Sequence, residues 1–376
     1  MVLPRSEHNQ NLPLTPPTSL RKKQNNKNAN ISPKLLLEDL LQNDKLSPIS
    51  SPEKNSVKRP RTIRRPKPNS LLSIENYPEI KPSQKSLNDY LKSILISCHE
   101  IIVVAGAGIS THAGIPDFRS KQNGLYTQSK KNKSLMDLNM IYSNEATTLQ
   151  FNDLMVSLHE KSINAKLTPF HKFLDKLAYQ KRLKRIYTQN IDSLEKKMEH
   201  ISAEQKTKFP ILVQLHGSIE NTKCSKCNNI RSFNPSRFQH SNNNTGNLIP
   251  SCLECEEMES VRAIAGVRSK GVGVIRPTIT LYNEVHTEGD SIANIINYDT
   301  KLKSIDLLII VGTMLSIPHV RKLCRNMAYS MKHGRRKKGN VIFICNEPPT
   351  QSILNEFGDN IDLIVLGDCQ SLYEYI

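Results

Sequence analysis

The chain has 376 residues, 8 of them Cys and none Trp, and its 52 Lys and Arg outweigh 35 Asp and Glu to give a formal charge of +17. That length accommodates one large domain with a smaller one grafted onto it, and no apolar run approaches the ~18 residues that span a bilayer. Met1 to His8 lacks the apolar core of a signal peptide, so the sequence reads as a soluble intracellular protein whose cysteines suit a reducing compartment.

The charge is unevenly placed. Residues 1–68 hold 14 Lys/Arg and 5 Asp/Glu, a net of +9, and residues 1 to about 75 are rich in Pro, Ser, Asn and Lys. Such a segment buries too little apolar area to fold and is expected to be a disordered, basic, regulatory tail. Within it, Lys58-Arg59-Pro60-Arg61-Thr62-Ile63-Arg64-Arg65-Pro66-Lys67 fits a nuclear-import signal, or an arm making non-specific nucleic-acid contacts. A short island, Leu35 to Gln42, could turn into an amphipathic helix on a partner. Thr15-Pro16-Pro17-Thr18-Ser19 resembles a phosphodegron read by an F-box ubiquitin ligase. Phosphates on Thr15 and Ser19 would present strong acceptors to an Arg-lined pocket.

From Leu87 the pattern changes. Asn88 to Ser97 has helical apolar spacing and leads into an apolar run at Glu100–Ala105. Further largely apolar runs at Leu183–Thr188, Ile211–Leu215, Leu307–Val311, Val341–Cys345 and Ile361–Leu366 read as buried parallel strands. Helical or irregular segments separate them, which predicts an α/β fold, a Rossmann-like parallel sheet forming a large domain over residues 76–376. A second basic run, Lys332 to Lys338, falls between a helical stretch and a strand and is expected in an exposed loop.

Four cysteines interrupt the alternation. Cys224 and Cys227, then Cys252 and Cys255, form two C-x-x-C pairs separated by residues 228–251, whose length is taken up by the polar tract Ser241–Asn247. Two such turns supply the four soft ligands of a tetrahedral Zn²⁺; two disulfides or four buried thiols are the alternatives. Four thiolates leave no open coordination position, so the metal is expected to be structural. The segment from about 218 to 272 therefore reads as a small zinc-ribbon domain inserted into the larger one.

The chemistry is sought in glycine and His motifs. The first strand runs into Gly106-Ala107-Gly108-Ile109-Ser110, where glycines let a backbone approach a pyrophosphate, although Thr111 stands where a third glycine would complete the dinucleotide pattern. Gly114-Ile115-Pro116-Asp117-Phe118-Arg119 and Gly124-Leu125-Tyr126 follow, then Thr188-Gln189-Asn190-Ile191-Asp192 and His216-Gly217 at two strand ends, and Gly312-Thr313-Met314-Leu315 after a third. This order of motifs, with the paired C-x-x-C between them, resembles the sirtuins, the NAD-dependent protein deacylases, over about residues 87–376.

The resemblance implies a reaction in which the nicotinamide–ribose bond of NAD is cleaved and an acyl group moves from lysine to the ribose. His216 would be the base for a ribose hydroxyl, since an imidazole takes a proton near neutrality. Gln189 and Asn190 would hold the nicotinamide ribose and a water, Asn190 counting with His216 as catalytic, and Asp192, Ile115 and Ile191 would bind the nicotinamide amide. Gly106, Ala107, Gly108, Ser110 and Asp117 belong to the implied cofactor site. Phe118 would exclude water, Arg119 would order phosphate and loop, and Tyr126 completes that segment. Gly312, Thr313 and Met314 would contact phosphate or ribose, Met314 replacing the Ser usual in the family. Asn346 and Glu347 would read the adenosine ribose, and the Cys369 backbone the adenine.

On the substrate side, Ile279, Leu281 and Tyr282 would wall an acyl-lysine channel, with Asn283 in place of a glycine, and His112 replaces a small polar residue. The tail and the Ile-Arg-Pro and Ile-Pro-His-Val variants look most like the fungal nuclear branch of the family that acts on histone H3. That likeness implies an acetylated histone substrate, a role in silencing and genome maintenance, and a nuclear location. A catalytically weak zinc-containing chromatin scaffold and a mono-ADP-ribosyltransferase are rival readings. An NAD(P)H oxidoreductase would not account for His216-Gly217, the cysteine pairs or Gly114–Arg119.

Overall fold

The computed structural model describes residues 63–117, 135–202, 207–239, 248–334 and 339–376. Thr15, Ser19, Lys58–Thr62, Phe118, Arg119, Tyr126 and residues 335–338 lie outside the described residues. In chain order the elements are β1 (Ser70–Ser73), α1 (Lys85–Ser97), β2 (Ile101–Ala105), α2 (Leu138–Ile141), α3 (Glu145–Asn164), α4 (Pro169–Tyr179) and β3 (Leu183–Thr188). Then come α5 (Glu199–Ser202), β4 (Leu212–Gln214), β5 (Gly217–Cys224), β6 (Ile230–Ser232), α6 (Leu253–Ile264), β7 (Ile275–Ile279) and α7 (Gly289–Lys301). The chain ends with β8 (Leu307–Val311), α8 (Pro318–His333), β9 (Asn340–Cys345), α9 (Gln351–Phe357) and β10 (Leu363–Leu366).

A seven-stranded sheet runs in the order β1-β10-β9-β8-β2-β3-β4 with every pairing parallel. Because side chains alternate across a strand, Ile101, Val103 and Ala105 of β2 join one core while Ile102 and Val104 join the other. Strand β8 divides in the same way, Leu307, Ile309 and Val311 against Leu308 and Ile310. Both faces are covered, by α1 and α4 on one side and by α7, α8 and α9 on the other. This is why these strands read as unbroken apolar runs.

Three-residue β6, eight-residue β5 and five-residue β7 form a separate antiparallel sheet, spanning Gly217 to Ile279. Ile219 and Ile279 from it pack with Phe151, Met155 and Leu158 of α3 and with Phe233 and Phe238. The smaller core is thus completed by a helix from outside the cysteine segment, and it extends beyond residues 218–272.

The folded part begins before residue 76. Ser70–Ser73 pair in parallel with Leu363–Leu366, and Leu72 is fully buried. Just ahead of the strand, Arg65 clasps Asp362 through Nε and Nη2 at 2.6 and 2.8 Å and donates to the Gly339 carbonyl at 2.6 Å. Asp362 also receives Lys332 Nζ at 2.5 Å and the Val341 N–H at 2.7 Å. One residue of each basic run is therefore committed to the fold. The pairing partner of β1 lies almost 300 residues away, a long-range contact that two leucines in a polar stretch do not announce.

Candidate active site and zinc centre

Strand order locates the cleft. From β2 the chain proceeds outward through β3 and β4 on one side, while β8, β9, β10 and β1 lie on the other. Ligands of open parallel sheets bind outside the carboxyl ends of the strands at such a reversal. The loops after β2 and β8 meet there. An added Cβ at Gly108 would fall 2.8 Å from the Gly312 Cα, and one at Gly106 would fall 2.7 Å from the Gly312 carbonyl oxygen. Gly312 itself has φ +62°, a conformation that favours glycine. These glycines let two cofactor loops lie backbone to backbone, which is a requirement prior to any pyrophosphate.

The cleft beside them has a volume of about 690 Å³ and lies between the large sheet and the small one. It is walled by Gly106, Ala107, Gly108, Asp117, Gln189, Asn190, Ile191, His216, Gly312, Thr313, Met314, Asn346, Glu347 and Cys369. Across from them stand Ile279, Leu281 and Tyr282. Ser110, Ile115 and Asp192 lie one layer behind. Asp192 Oδ1 accepts from the Leu194 N–H at 3.0 Å, so its carboxylate fixes the turn that follows β3. Ser110 Oγ accepts from Asn190 Nδ2 at 3.3 Å. The Asn190 Oδ1 is buried and meets no donor among the described residues, an acceptor suited to a hydroxyl of a bound molecule or to a water.

His216 is delivered to the cleft by Gly217. That glycine has φ +73°, and a Cβ on it would fall 2.1 Å from the Thr278 carbonyl oxygen of β7. The close approach turns the chain out of the large sheet and into the small one, leaving His216 between them. His216 Nδ1 lies 2.9 Å from the Gln189 carbonyl oxygen. A carbonyl only accepts, so Nδ1 carries the proton and Nε2 presents a lone pair. Desolvation, together with His319 and His286 and against the Gln189 carbonyl, brings the imidazole down to about 4. It is therefore neutral, and able to accept a proton, at physiological pH.

Two departures from the family pattern acquire physical accounts. Asn283 has φ +64°, the left-handed region, where Asn is the side chain best tolerated after Gly. Its Nδ2 donates to Asp137 Oδ2 at 2.9 Å, fastening the end of the channel wall to the segment before α2. His112 Nε2 lies 2.8 Å from Asp368 Oδ2, joining the turn after the glycine loop to the turn after β10. On the same seam Gln370 Nε2 donates to the Ile109 carbonyl at 3.2 Å. Cys369 is buried, which pushes its thiol well up.

Glu195 escaped the sequence reading. It is fully buried, and burial, with Asp192 beside it and against the Thr188 hydroxyl, its own backbone N–H and Lys196, pushes it up to about 8. It is a neutral acid beneath the Asn190–Asp192 turn. Its only sequence signal is its place three residues after Asp192.

The four cysteine sulfurs lie within 4.8 Å of one another. Cys224 Sγ is 3.8 Å from Cys255 Sγ, and Cys227 Sγ is 3.7 Å from Cys252 Sγ. A tetrahedron with Zn–S bonds of about 2.3 Å has edges of about 3.8 Å, whereas disulfide sulfurs sit at about 2.0 Å. The N–H groups of Lys226 and Cys227 point at Cys224 Sγ at 3.3 and 3.4 Å, as donors stabilising a thiolate do. The tetrad fits Zn²⁺. Gly273 guards it, since a Cβ there would fall 2.6 Å from Cys224 Sγ.

Residues 106–318 match the Sir2 family. The chain belongs to the Sir2 family. The NAD-dependent histone deacetylase HST4 of Saccharomyces cerevisiae is 42% identical over 96% of this chain and 97% of its own length. The NAD-dependent protein deacetylase hst4 of Schizosaccharomyces pombe is 37% identical over 74% of this chain and 66% of its own. Among solved structures, a Sir2 protein bound to an acetylated peptide aligns with a TM-score of 0.54 at 19% identity, covering 77% of this chain and 95% of its own. A Sir2 complex with a p53 peptide and NAD aligns at 0.53 and 20% identity, with the same coverage; both establish the shared fold. This sirtuin is an NAD-dependent protein deacetylase with a zinc-binding module. Among its described residues no helix is long and apolar enough to cross a membrane.

Proposed function

We propose that this sirtuin deacetylates histone H3 in the nucleus, with His216 as the base and Asn190 as its catalytic neighbour. The observation that carries the site assignment is the His216 Nε2 lone pair, aimed into the cleft by the Nδ1 contact to Gln189. When bound, NAD supplies a nicotinamide–ribose bond whose cleavage leaves an electrophilic carbon for the acetyl oxygen. His216 accepts the proton of the ribose hydroxyl at Nε2, while the Gln189 carbonyl holds the ring in the required tautomer. Asn190 Oδ1 orients a hydroxyl or a water. Gly106, Gly108, Gly312 and Thr313 offer backbone to the phosphates, Asn346 and Glu347 face the adenosine side, and Ile191 the nicotinamide side. Asp192 acts by fixing the turn beneath it. Ile279, Leu281 and Tyr282 give the acetyl-lysine stem an apolar wall. From the segment outside the described residues, Phe118 is assigned to water exclusion, Arg119 to phosphate and loop ordering, and Tyr126 to the cofactor site, by likeness alone.

The histone assignment is supported by relatives named histone deacetylases, one of them 42% identical over 96% of this chain. By the same likeness the enzyme serves chromatin silencing and genome maintenance. Lys58–Lys67 contributes nuclear import or non-specific nucleic-acid contact, and phosphorylated Thr15 and Ser19 recruit an F-box ubiquitin ligase. An unchanged protein half-life in Thr15→Ala would count against the last of these.

Acetylated core histones incubated with enzyme and NAD, with each acetyl-lysine followed by mass spectrometry, test the substrate. Loss concentrated on H3, and absent in His216→Ala, is expected. Equal loss from all four histones would overturn the H3 assignment.

A further inference from the structure

His216 has a partner on its reactive side. Its Nε2 lies 3.3 Å from Nε2 of His319, the rings crossing at 88° with centroids 5.5 Å apart. Two imidazole nitrogens at that distance share one proton. His216 donates its own proton through Nδ1 to the Gln189 carbonyl, so the shared proton belongs to His319, whose Nε2–H donates to the lone pair of His216. His319 lines the same cleft but is exposed to solvent. The catalytic base of this chain is thus connected to bulk water by one further imidazole.

The surroundings make His319 a poor place for a proton to rest. It is the second residue of α8, at the helix end where the backbone dipole disfavours a cation. Desolvation and then His286 hold its imidazole below the usual range. His286 also bears on His216. It is itself lowered by desolvation against the opposing effects of Glu288 and the Gln214 backbone, and its Nδ1 accepts from the Glu288 N–H at 2.9 Å. Among the described residues these are the ionisable groups that bear on the pair, and three clustered imidazoles cannot all stay charged.

We propose that His319 is the proton partner of His216, passing to solvent the proton that His216 removes from the ribose hydroxyl. The inference rests on His216 being the base. Exchange with water first puts His319 in its Nδ1–H tautomer, which frees the lone pair of His216 Nε2; the hydroxyl O–H bond then breaks and its proton binds that lone pair. That N–H then breaks as Nε2 of His319, in its Nδ1–H tautomer, takes the proton. His319 releases the Nδ1 proton to water and is left with Nε2–H, the tautomer of the resting structure. Exchange with water returns it to the Nδ1–H form for the next turnover. No electrons change hands and no co-reactant beyond water is required. His319 does not touch the reacting carbon; it acts through His216 as a positioning and relay residue.

The test is steady-state deacetylation of an acetylated histone peptide by the full chain, with kcat and KM for NAD measured from pH 5.5 to 9. Wild type is compared with His319→Ala and His319→Gln, with and without added imidazole. His319→Ala should lower kcat about tenfold, leave KM for NAD within about twofold, and recover with added neutral imidazole while wild type does not respond. His319→Gln keeps a donor to His216 but cannot pass a proton on, so it should be as slow as the Ala variant. An unchanged kcat in His319→Ala, or full recovery by Gln without imidazole, would overturn the relay. Full activity in His216→Ala would instead remove the base assignment itself, a distinct outcome that the same assay reads.

Discussion

The zinc module and the cofactor cleft are built by opposite strategies. All four metal ligands come from two short turns, Cys224–Cys227 and Cys252–Cys255, which the β5–β7 pairing and the Cys252 N–H to Gly273 carbonyl bond bring together. The cleft draws its walls from the ends of β2, β3, β4, β7, β8, β9 and β10. A site whose ligands are local depends on one covalent-like centre, whereas a site assembled from many strand ends depends on the whole sheet. The first should therefore fail abruptly and the second by degrees.

The largest expected effect follows from the first half of that contrast. Cys224→Ser removes one of four thiolates, and structural zinc contributes folding free energy of about 10 kcal/mol or more in small domains. Zinc content should fall to near zero and deacetylation by at least about a hundredfold, because β5, which carries Cys224, begins at the glycine that follows His216. Retained activity in a zinc-free protein would show that the two sites are independent.

Gly217→Ala comes next, since it strains the joint between the regions. A residue forced to φ +73° with its Cβ against the Thr278 carbonyl costs about 1–3 kcal/mol and must move the backbone beside His216. Activity should drop at least about tenfold with zinc content unchanged, as read by metal analysis and kcat on one preparation.

A third effect is a pH dependence. Glu195 is raised to about 8 when folded, above its unfolded value of about 4.3, so the folded chain binds the extra proton and stability falls as pH rises between those values. His171 and His216 are held down to about 4 when folded, below about 6.5 unfolded, so stability also falls as pH drops from about 6.5 toward 4. Denaturant titrations should therefore show a maximum on the acid side of neutrality. Glu195→Gln should gain on wild type as the pH is raised from 5 to 8. A parallel pair of profiles would mean that Glu195 is ionised in the fold.

The smallest effect tests a single wall residue of the distributed site. Met314→Ser returns a hydroxyl to the cleft and should tighten NAD binding by about 0.5–1.5 kcal/mol, up to about a tenfold change in Kd. Calorimetric titration would read it, and weaker binding would place residue 314 away from the polar part of the ligand.

The contrast also explains what could be read before the fold was known. Two C-x-x-C pairs carry their geometry in their spacing, and strands buried on both faces are largely apolar, so β2, β3, β8 and β9 stand out within a residue or so, although β3 carries Lys184 and Arg185. Strand β1 does not, because its pairing with β10 across the length of the chain, and not its composition, makes it a strand. The glycine, Asn-Ile-Asp and His-Gly motifs marked the cleft through their order and family likeness. Gly273 and Glu195 carry no such mark, and His319 stands out only within the Ile-Pro-His-Val variant. Gly273 and His319 matter through neighbours that only folding brings near, Cys224 and His216, and Glu195 through the burial that only folding gives it beside Asp192.

The central claim is that a neutral His216, poised between the two regions, performs NAD-dependent acetyl removal. It is tested most directly by counting nicotinamide released and acetyl groups removed in the same reaction, with wild type and His216→Ala. The account predicts one nicotinamide per acetyl group for wild type, and loss of deacetylation by at least about a hundredfold in a His216→Ala protein that still binds zinc. Deacetylation without nicotinamide release, or undiminished in the variant, would contradict it.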